Sequence, residues 1–239
     1  MRGCLTWFFV VLAVGLVCVW SFAPAVAGVL VGAGLGTAGF ESKDKQVTVV
    51  ADPPIELLTL RADKVHILAT DATFSGLRIA GVDLLLGGVG LMGRQADSVT
   101  GTLTGVGVPS ALGATATISA VALSGPSSDL RATLTFTAKD IQALASAAVQ
   151  GQMGSTPTKV TLTAPDKVAV IASGISVRGR LVVDSGGGLV LVTTSPPGFS
   201  DPIDIIRPGP TEPLHLTSIV LRANGATVTA TVDPSFFGG

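Results

Sequence analysis

Residues 128–150 read SDLRATLTFTAKDIQALASAAVQ, and the hydrophobic period changes half-way along them. Leu130, Ala132, Leu134 and Phe136 alternate with Arg131, Thr133, Thr135 and Thr137. That period of two predicts a half-buried strand. Ile141, Leu144, Ala145 and Ala148 then recur at i, i+3, i+4 and i+7, which places them on one face of a helix. Thr137 and Asp140 approximate a capping box with Asp in place of Glu, so the helix is expected to start at Ala138. Gly151 and Gly154 predict that it ends by Met153. No other convincing amphipathic helix follows the N-terminus, and nearly everything else reads as strand.

The flanking segments support that reading. Val65, Ile67 and Ala69 alternate with Lys64, His66, Leu68 and Thr70, a turn is expected near Asp71-Ala72, and Phe74 to Leu86 reads as a long strand bending at Gly76 and Gly81. Gly87 to Gly93 reads as a loose connection. Val99 to Leu123 reads as two strands split at Pro109-Ser110, with Ala114, Ala116, Ile118, Ala120 and Ala122 sharing one close-packed face. Beyond the helix, Thr158–Ala164, Val168–Ile171, Ile175–Val183 and Leu189–Thr193 succeed one another with short turns, which predicts an antiparallel meander. Six prolines between Ser195 and Pro213 keep that segment out of a sheet interior, since proline donates no ladder hydrogen bond. Within it, Ile203, Ile205 and Ile206 are expected to form at most a short extended piece. Leu214–Leu221 and Ala226–Val232 around Asn224-Gly225 give the strongest hairpin signal. The expected fold is α+β and mostly β: a long twisted antiparallel sheet wrapping one amphipathic helix, after an N-terminal apolar segment.

The chain has 239 residues, net charge −1, 13% charged and 5% aromatic residues and no tyrosine. So apolar a composition excludes a disordered chain, and the lack of a Lys/Arg cluster argues against a nucleic-acid partner. Three sections are expected: residues 1–27, 28–45 and 46–234. From Gly3 to Phe40 no residue is charged. Ala25-Val26-Ala27 fits signal cleavage after Ala27, whereas Leu5 to Pro24 just reaches the ~20 apolar residues that span a bilayer as an anchor. Both readings place the body outside the cytoplasm. Residues 28–45 are glycine-rich and are expected to be either the tail of an anchor or a flexible lead-in in which a stable soluble helix is disfavoured, ending in the charged, solvated run Glu41–Lys45 as the first clear boundary. Both cysteines, Cys4 and Cys18, lie in the leader, so the body has neither a disulfide framework nor a thiolate metal site.

No catalytic constellation is present. His66 and His215, the two histidines, read as surface strand residues in preference to a metal pair or a general base. The serines lack a nucleophile elbow, Gly186-Gly187-Gly188 lacks the Lys-Ser/Thr of a phosphate loop, and Asp201 and Asp204 lack the spacing of a calcium loop. Neither an enzymatic activity nor a cofactor or metal is therefore expected. An aliphatic excess around one helix leaves two alternatives. Either side chains fill the interior, or acyl chains occupy part of it at ~0.8 kcal/mol per buried CH₂.

Three segments, taken in order, resemble LmeA-like bacterial envelope proteins. They are Pro54-Ile55-Glu56-Leu57-Leu58 through Val65–Thr70 to Phe74–Val89; the strand–helix unit from Arg131 to Leu144; and Pro213–Leu221 to Thr229. Together they cover most of residues 46–232. The resemblance implies a tubular lipid-binding-like domain, in which a twisted sheet wraps a long helix, and binding of phospholipid or another envelope lipid. The family carries a charged helix after its signal sequence, where this chain has the glycine-rich Val29–Gly39. In a domain of that kind, Leu134, Phe136, Ile141, Leu144, Ala145, Ala148 and Val149 would line the lipid groove. The alternative is a structural or scaffolding envelope protein with a filled core and a protein partner.

Overall fold

The computed structural model describes residues 40–74, 77–90, 95–109, 115–195, 201–206 and 214–233, with Gly28 and Gly36. Two antiparallel sheets enclose one helix. The first six strands are β1 (Phe40–Val50), β2 (Arg61–Phe74), β3 (Leu77–Gly90), β4 (Gln95–Pro109), β5 (Thr115–Gly125) and β6 (Leu130–Thr137). A short 3-10 helix, Pro54–Thr59, links β1 to β2, and α1 (Ala138–Met153) follows β6 directly. The rest are β7 (Pro157–Thr163), β8 (Lys167–Ala172), β9 (Ile175–Val183), β10 (Leu189–Ser195), β11 (Ile203–Ile206), β12 (Leu214–Arg222) and β13 (Gly225–Val232). The large sheet runs β1-β2-β3-β4-β5-β6-β13-β12, and the small one runs β11-β10-β9-β8-β7. The described residues are thus mostly β, with one helix between the sheets, Ala138–Met153, and a large sheet curled into a half-barrel.

Two creases across the large sheet accompany the curl. The β1–β5 ladders pair Ser42 with Ala72, Ala72 with Ile79, Ile79 with Val106 and Val106 with Ile118. Two residues further along they pair Asp44 with Thr70, Thr70 with Gly81, Gly81 with Thr104 and Thr104 with Ala120. Between these rows the ladder skips Lys43, Asp71, Ala80, Gly105 and Ser119. Asp71 and Gly105 there have φ of 47° and 60°. A second crease skips Asp63, Gly88 and Asp97, with Gly88 at φ 59°. Such irregularities bend strands as bulges do. At each one the inward side chains step by three instead of two, as from Ala62 to Val65, Ala69 to Ala72, Ile79 to Val82, Ala96 to Val99 and Ile118 to Val121, all buried.

Several expectations are corrected. The strands form two sheets, because the meander after α1 folds back over the helix and does not extend the first sheet. Asp71 is a crease residue inside β2, not a turn, and β3 runs on to Gly90 through the expected loose connection. Ala120 and Ala122 do not share a face with Ile118, since the crease at Ser119 turns Ile118 and Val121 inward. Glu41–Lys45 is mostly exposed, as expected of a solvated run, but is no boundary: it is the first half of β1, an edge strand whose charges discourage pairing with another chain. Gly28 and Gly36 are both helical. A Cβ on Gly28 would lie 2.9 Å from the Val47 carbonyl oxygen, so glycine permits this close approach to β1. The β12–β13 turn is Ala223-Asn224, with Gly225 already paired to Arg222. Residues 1–27 lie outside the described residues; among those described, no helix is long and apolar enough to cross a membrane.

The small sheet also closes the other edge of the large one. The Leu216 amide donates to the Gly187 carbonyl at 3.2 Å and the Leu221 amide to the Pro165 carbonyl at 2.6 Å. Turns of the small sheet thereby satisfy β12 donors that would otherwise be exposed.

Candidate functional site

β6 and α1 form a continuous unit, and the local chemistry of their junction fixes how the helix leaves the sheet. Thr137 is the N-cap, with extended backbone, and its Oγ1 accepts from the Asp140 amide at 3.2 Å. Its hydroxyl also donates to Asp140 Oδ2 at 2.5 Å. The Ala138 amide donates to the Asn224 carbonyl at 3.1 Å, which ties the first turn to the β12–β13 hairpin. At the other end Gly154 takes φ 65° and its amide donates to the Gln150 carbonyl at 2.8 Å, a left-handed cap.

The junction aims the apolar face of α1 along the inner face of the large sheet. Leu134 pairs with Val228 and Phe136 with Ala226 across the β6–β13 ladder. These four side chains join Ile141, Leu144, Ala145, Ala148 and Val149 in one core cluster. All seven residues expected to share this seam are therefore together, each between 0 and 3% exposed. Burying a side chain of Leu, Ile, Val or Phe size contributes ~1.5–3 kcal/mol, so the seam is a main stabilising element.

The reading of one sheet against one helix missed the other side of the helix. α1 contacts β5, β6 and β13 of the large sheet and β7, β8 and β11 of the small one. Val168, Val170, Val177, Leu181, Ile203 and Ile205 are buried in the same cluster as the helix. The alternation of β8 and β9 marks their inward residues; nothing in it tells which sheet those strands join. Ile203 and Ile205 are 3% and 1% exposed, so the proline-rich segment contributes an edge strand to the core.

A second apolar cluster lies at the other end of the half-barrel, where Leu57 of the 3-10 helix packs with Val49, Val65, Ile67, Val89 and Val99. Inward side chains of the large sheet therefore stay apolar from β2 through to β12; on the edge strand β1, Ser42 and Lys45 share the inner face with Ala72 and Ala69.

The ion pairs of the described residues lie on the outer surface, while the polar atoms inside include Ser42 Oγ and the Ser127 hydroxyl, which donates to the Ala96 carbonyl. His66 Nε2 lies 2.8 Å from Asp83 Oδ1, both side chains being exposed. Beside this pair a cleft of about 510 Å³ is lined by Asp44, Gln46, Leu68, Thr70, Asp83 and Thr104, among others. His215 is on β12, at the far end of the sheet order from β2, so the two histidines are not brought together. Among the described residues, no group of three or more His, Cys, Asp or Glu could hold a metal ion.

With the fold and seam in view, the class is a mostly-β domain with a curled sheet, a buried apolar helix and a covering sheet. No protein-family model, no curated protein and no solved structure matches the chain.

Proposed function

We propose that this is a non-catalytic lipid-binding protein of the cell envelope. In this reading it is exported, and then released or held at the cytoplasmic membrane by its N-terminal apolar segment. It takes phospholipid or a related envelope lipid along the seam between α1 and the large sheet, in a domain of the tubular lipid-binding type. One observation carries the reading: the inner face of the half-barrel is apolar from β2 across to β12, with the apolar face of α1 laid along it. The resemblance to LmeA-like proteins supports it.

Leu134, Phe136, Ile141, Leu144, Ala145, Ala148 and Val149 are packed against protein, so an acyl chain enters only as α1 parts from β5, β6 and β13. Each CH₂ buried there returns ~0.8 kcal/mol, so a long acyl chain offsets much of the lost packing. The test is to purify the exported protein, extract it with organic solvent and analyse the extract by mass spectrometry. A stoichiometric lipid is expected. Protein that carries none and ignores added phospholipid ends the proposal.

A second reading has its own observation. The 0–3% exposure of the seam suits a scaffolding envelope protein whose core is complete without lipid and whose partner is another protein.

A further inference from the structure

The outer face of the small sheet has a composition found on no other surface described above. Three rows cross it. Thr163, Lys167, Arg180 and Val192 pair in succession across β7, β8, β9 and β10. Thr161, Ala169 and Arg178 make the next row, and Lys159, Ile171 and Ser176 the third. No acidic residue stands in these three; the neighbouring row, Val182, Val190 and Asp204, has one on β11. Asp166, in the β7–β8 turn, accepts from Arg180 Nε at 2.7 Å. Lys159, Lys167 and Arg178 are exposed and have no ion-pair partner among the described residues. Within the same rows Ile171 and Val192 are 36% and 37% exposed.

Unpaired cations around exposed aliphatic side chains, at the β7–β9 end of a face whose carboxylates are Asp204 on the far strand β11 and Asp166 held by Arg180, complement an anionic lipid surface. Lys and Arg meet phosphate groups while the aliphatic groups enter the interface. The outer face of the large sheet lacks this complementarity, since Asp44 and Asp83 stand among its side chains around the cleft.

We propose that the outer face of the small sheet docks on the surface of an anionic phospholipid membrane. This goes beyond the lipid-cargo reading and does not depend on it. A cation close to such a surface strengthens attraction about 5-fold, so the three unpaired ones together contribute about 100-fold.

The test uses the full chain with Cys4→Ser and Cys18→Ser, which removes the leader thiols. An environment-sensitive fluorophore is attached through Ser176→Cys, or for comparison through Thr102→Cys on the large sheet; both positions are exposed. Vesicles of phosphatidylglycerol are expected to blue-shift the label on the Ser176→Cys variant and not that on Thr102→Cys. Phosphatidylcholine vesicles are expected to do neither. The shift should vanish as salt rises from ~0.01 M to ~1 M, where the screening length falls from about 30 Å to about 3 Å. Adding Lys159→Gln, Lys167→Gln and Arg178→Gln should raise the phosphatidylglycerol needed for half the shift by about 100-fold. Circular dichroism checks that these variants fold.

No shift on the Ser176→Cys variant, an equal shift on both variants, or an equal shift with phosphatidylcholine each overturns the proposal. A shift with heparin but none with vesicles overturns it in favour of an anionic polymer. Any leader insertion is common to all variants, so it does not produce the contrast. Lipid in the organic extract is scored separately: extract lipid without a shift removes only the docking face, and a shift without extract lipid removes only the cargo.

Discussion

A Cβ on Gly105 of β4 would stand 2.8 Å from the Cβ of Ala80 on β3, and Gly105 itself has φ 60°. Both residues lie on the crease that runs from Lys43 to Ser119. Neighbouring backbones approach there more closely than side chains allow, and the local bend adds to the curl of the sheet. Curl in turn gives the apolar inner face a concave shape around α1. Gly105→Ala meets two penalties, ~1–2 kcal/mol for a left-handed L-residue and a contact with Ala80 that only backbone movement relieves. The expected loss is roughly 2–3 kcal/mol. A lower urea midpoint with an unchanged slope checks it; an unaltered midpoint would mean the crease is not fixed by glycine.

Gly225 has a more severe constraint of the same kind. Its φ is 151°, and a Cβ would lie 2.0 Å from the carbonyl oxygen of Phe136, where β13 crosses the β6–α1 junction. A backbone carbonyl within a ladder cannot rotate away as a side chain can. Gly225→Ala is expected to be the more damaging of the two, at roughly 4 kcal/mol or more, and to loosen the start of α1. Thermal melts of both variants test that order. A Gly225→Ala protein as stable as the Gly105→Ala protein would contradict it.

Alternation in the sequence is a sound guide to which residues are inward only as far as the next crease. Val65, Ile67 and Ala69 are inward as their spacing predicts, but Ala72 is inward as well, three residues on, because Asp71 intervenes with φ 47°. A non-glycine residue in that conformation carries little sequence signal, so the segment reads as a turn. The helix was legible because a change of period, a cap and terminal glycines agree over residues 137–154. Its seven seam residues were legible for the same reason. What the sequence withholds is that β7–β11 form a separate sheet: β8 and β12 have similar alternation, and only the return of the chain over α1 decides their partners.

The capping hydroxyl of Thr137 gives a smaller, well-defined effect. Thr137→Ala removes the acceptor of the Asp140 amide, at a cost of ~1 kcal/mol, and Thr137→Ser should restore most of it. Denaturant midpoints of the three proteins measure the difference. Equal loss in the Ser and Ala variants would locate the contribution in the threonine methyl group.

The seam itself separates the two functional readings. Leu144 is 2% exposed between the sheets, whereas Ala143, one residue back, is exposed. Leu144→Asp buries a carboxylate without a partner, at a cost of several kcal/mol against a total stability of ~5–15 kcal/mol. Unfolding is expected, while Ala143→Asp should stay within ~0.5 kcal/mol of the parent. A folded Leu144→Asp protein would mean that water reaches the seam. Ala148→Leu is gentler: Ala148 is 0% exposed, and three added carbons at such a site cost ~1–3 kcal/mol. Added volume also competes with an acyl chain for the space between α1 and the large sheet. Under the lipid-binding reading the Ala148→Leu protein remains folded and yields less extractable lipid than the parent. Under the scaffolding reading it loses stability alone, since there is no lipid to displace. Mass spectrometry of extracts, normalised to folded protein by circular dichroism, decides between them. Undiminished lipid in a folded Ala148→Leu protein would move the lipid away from α1.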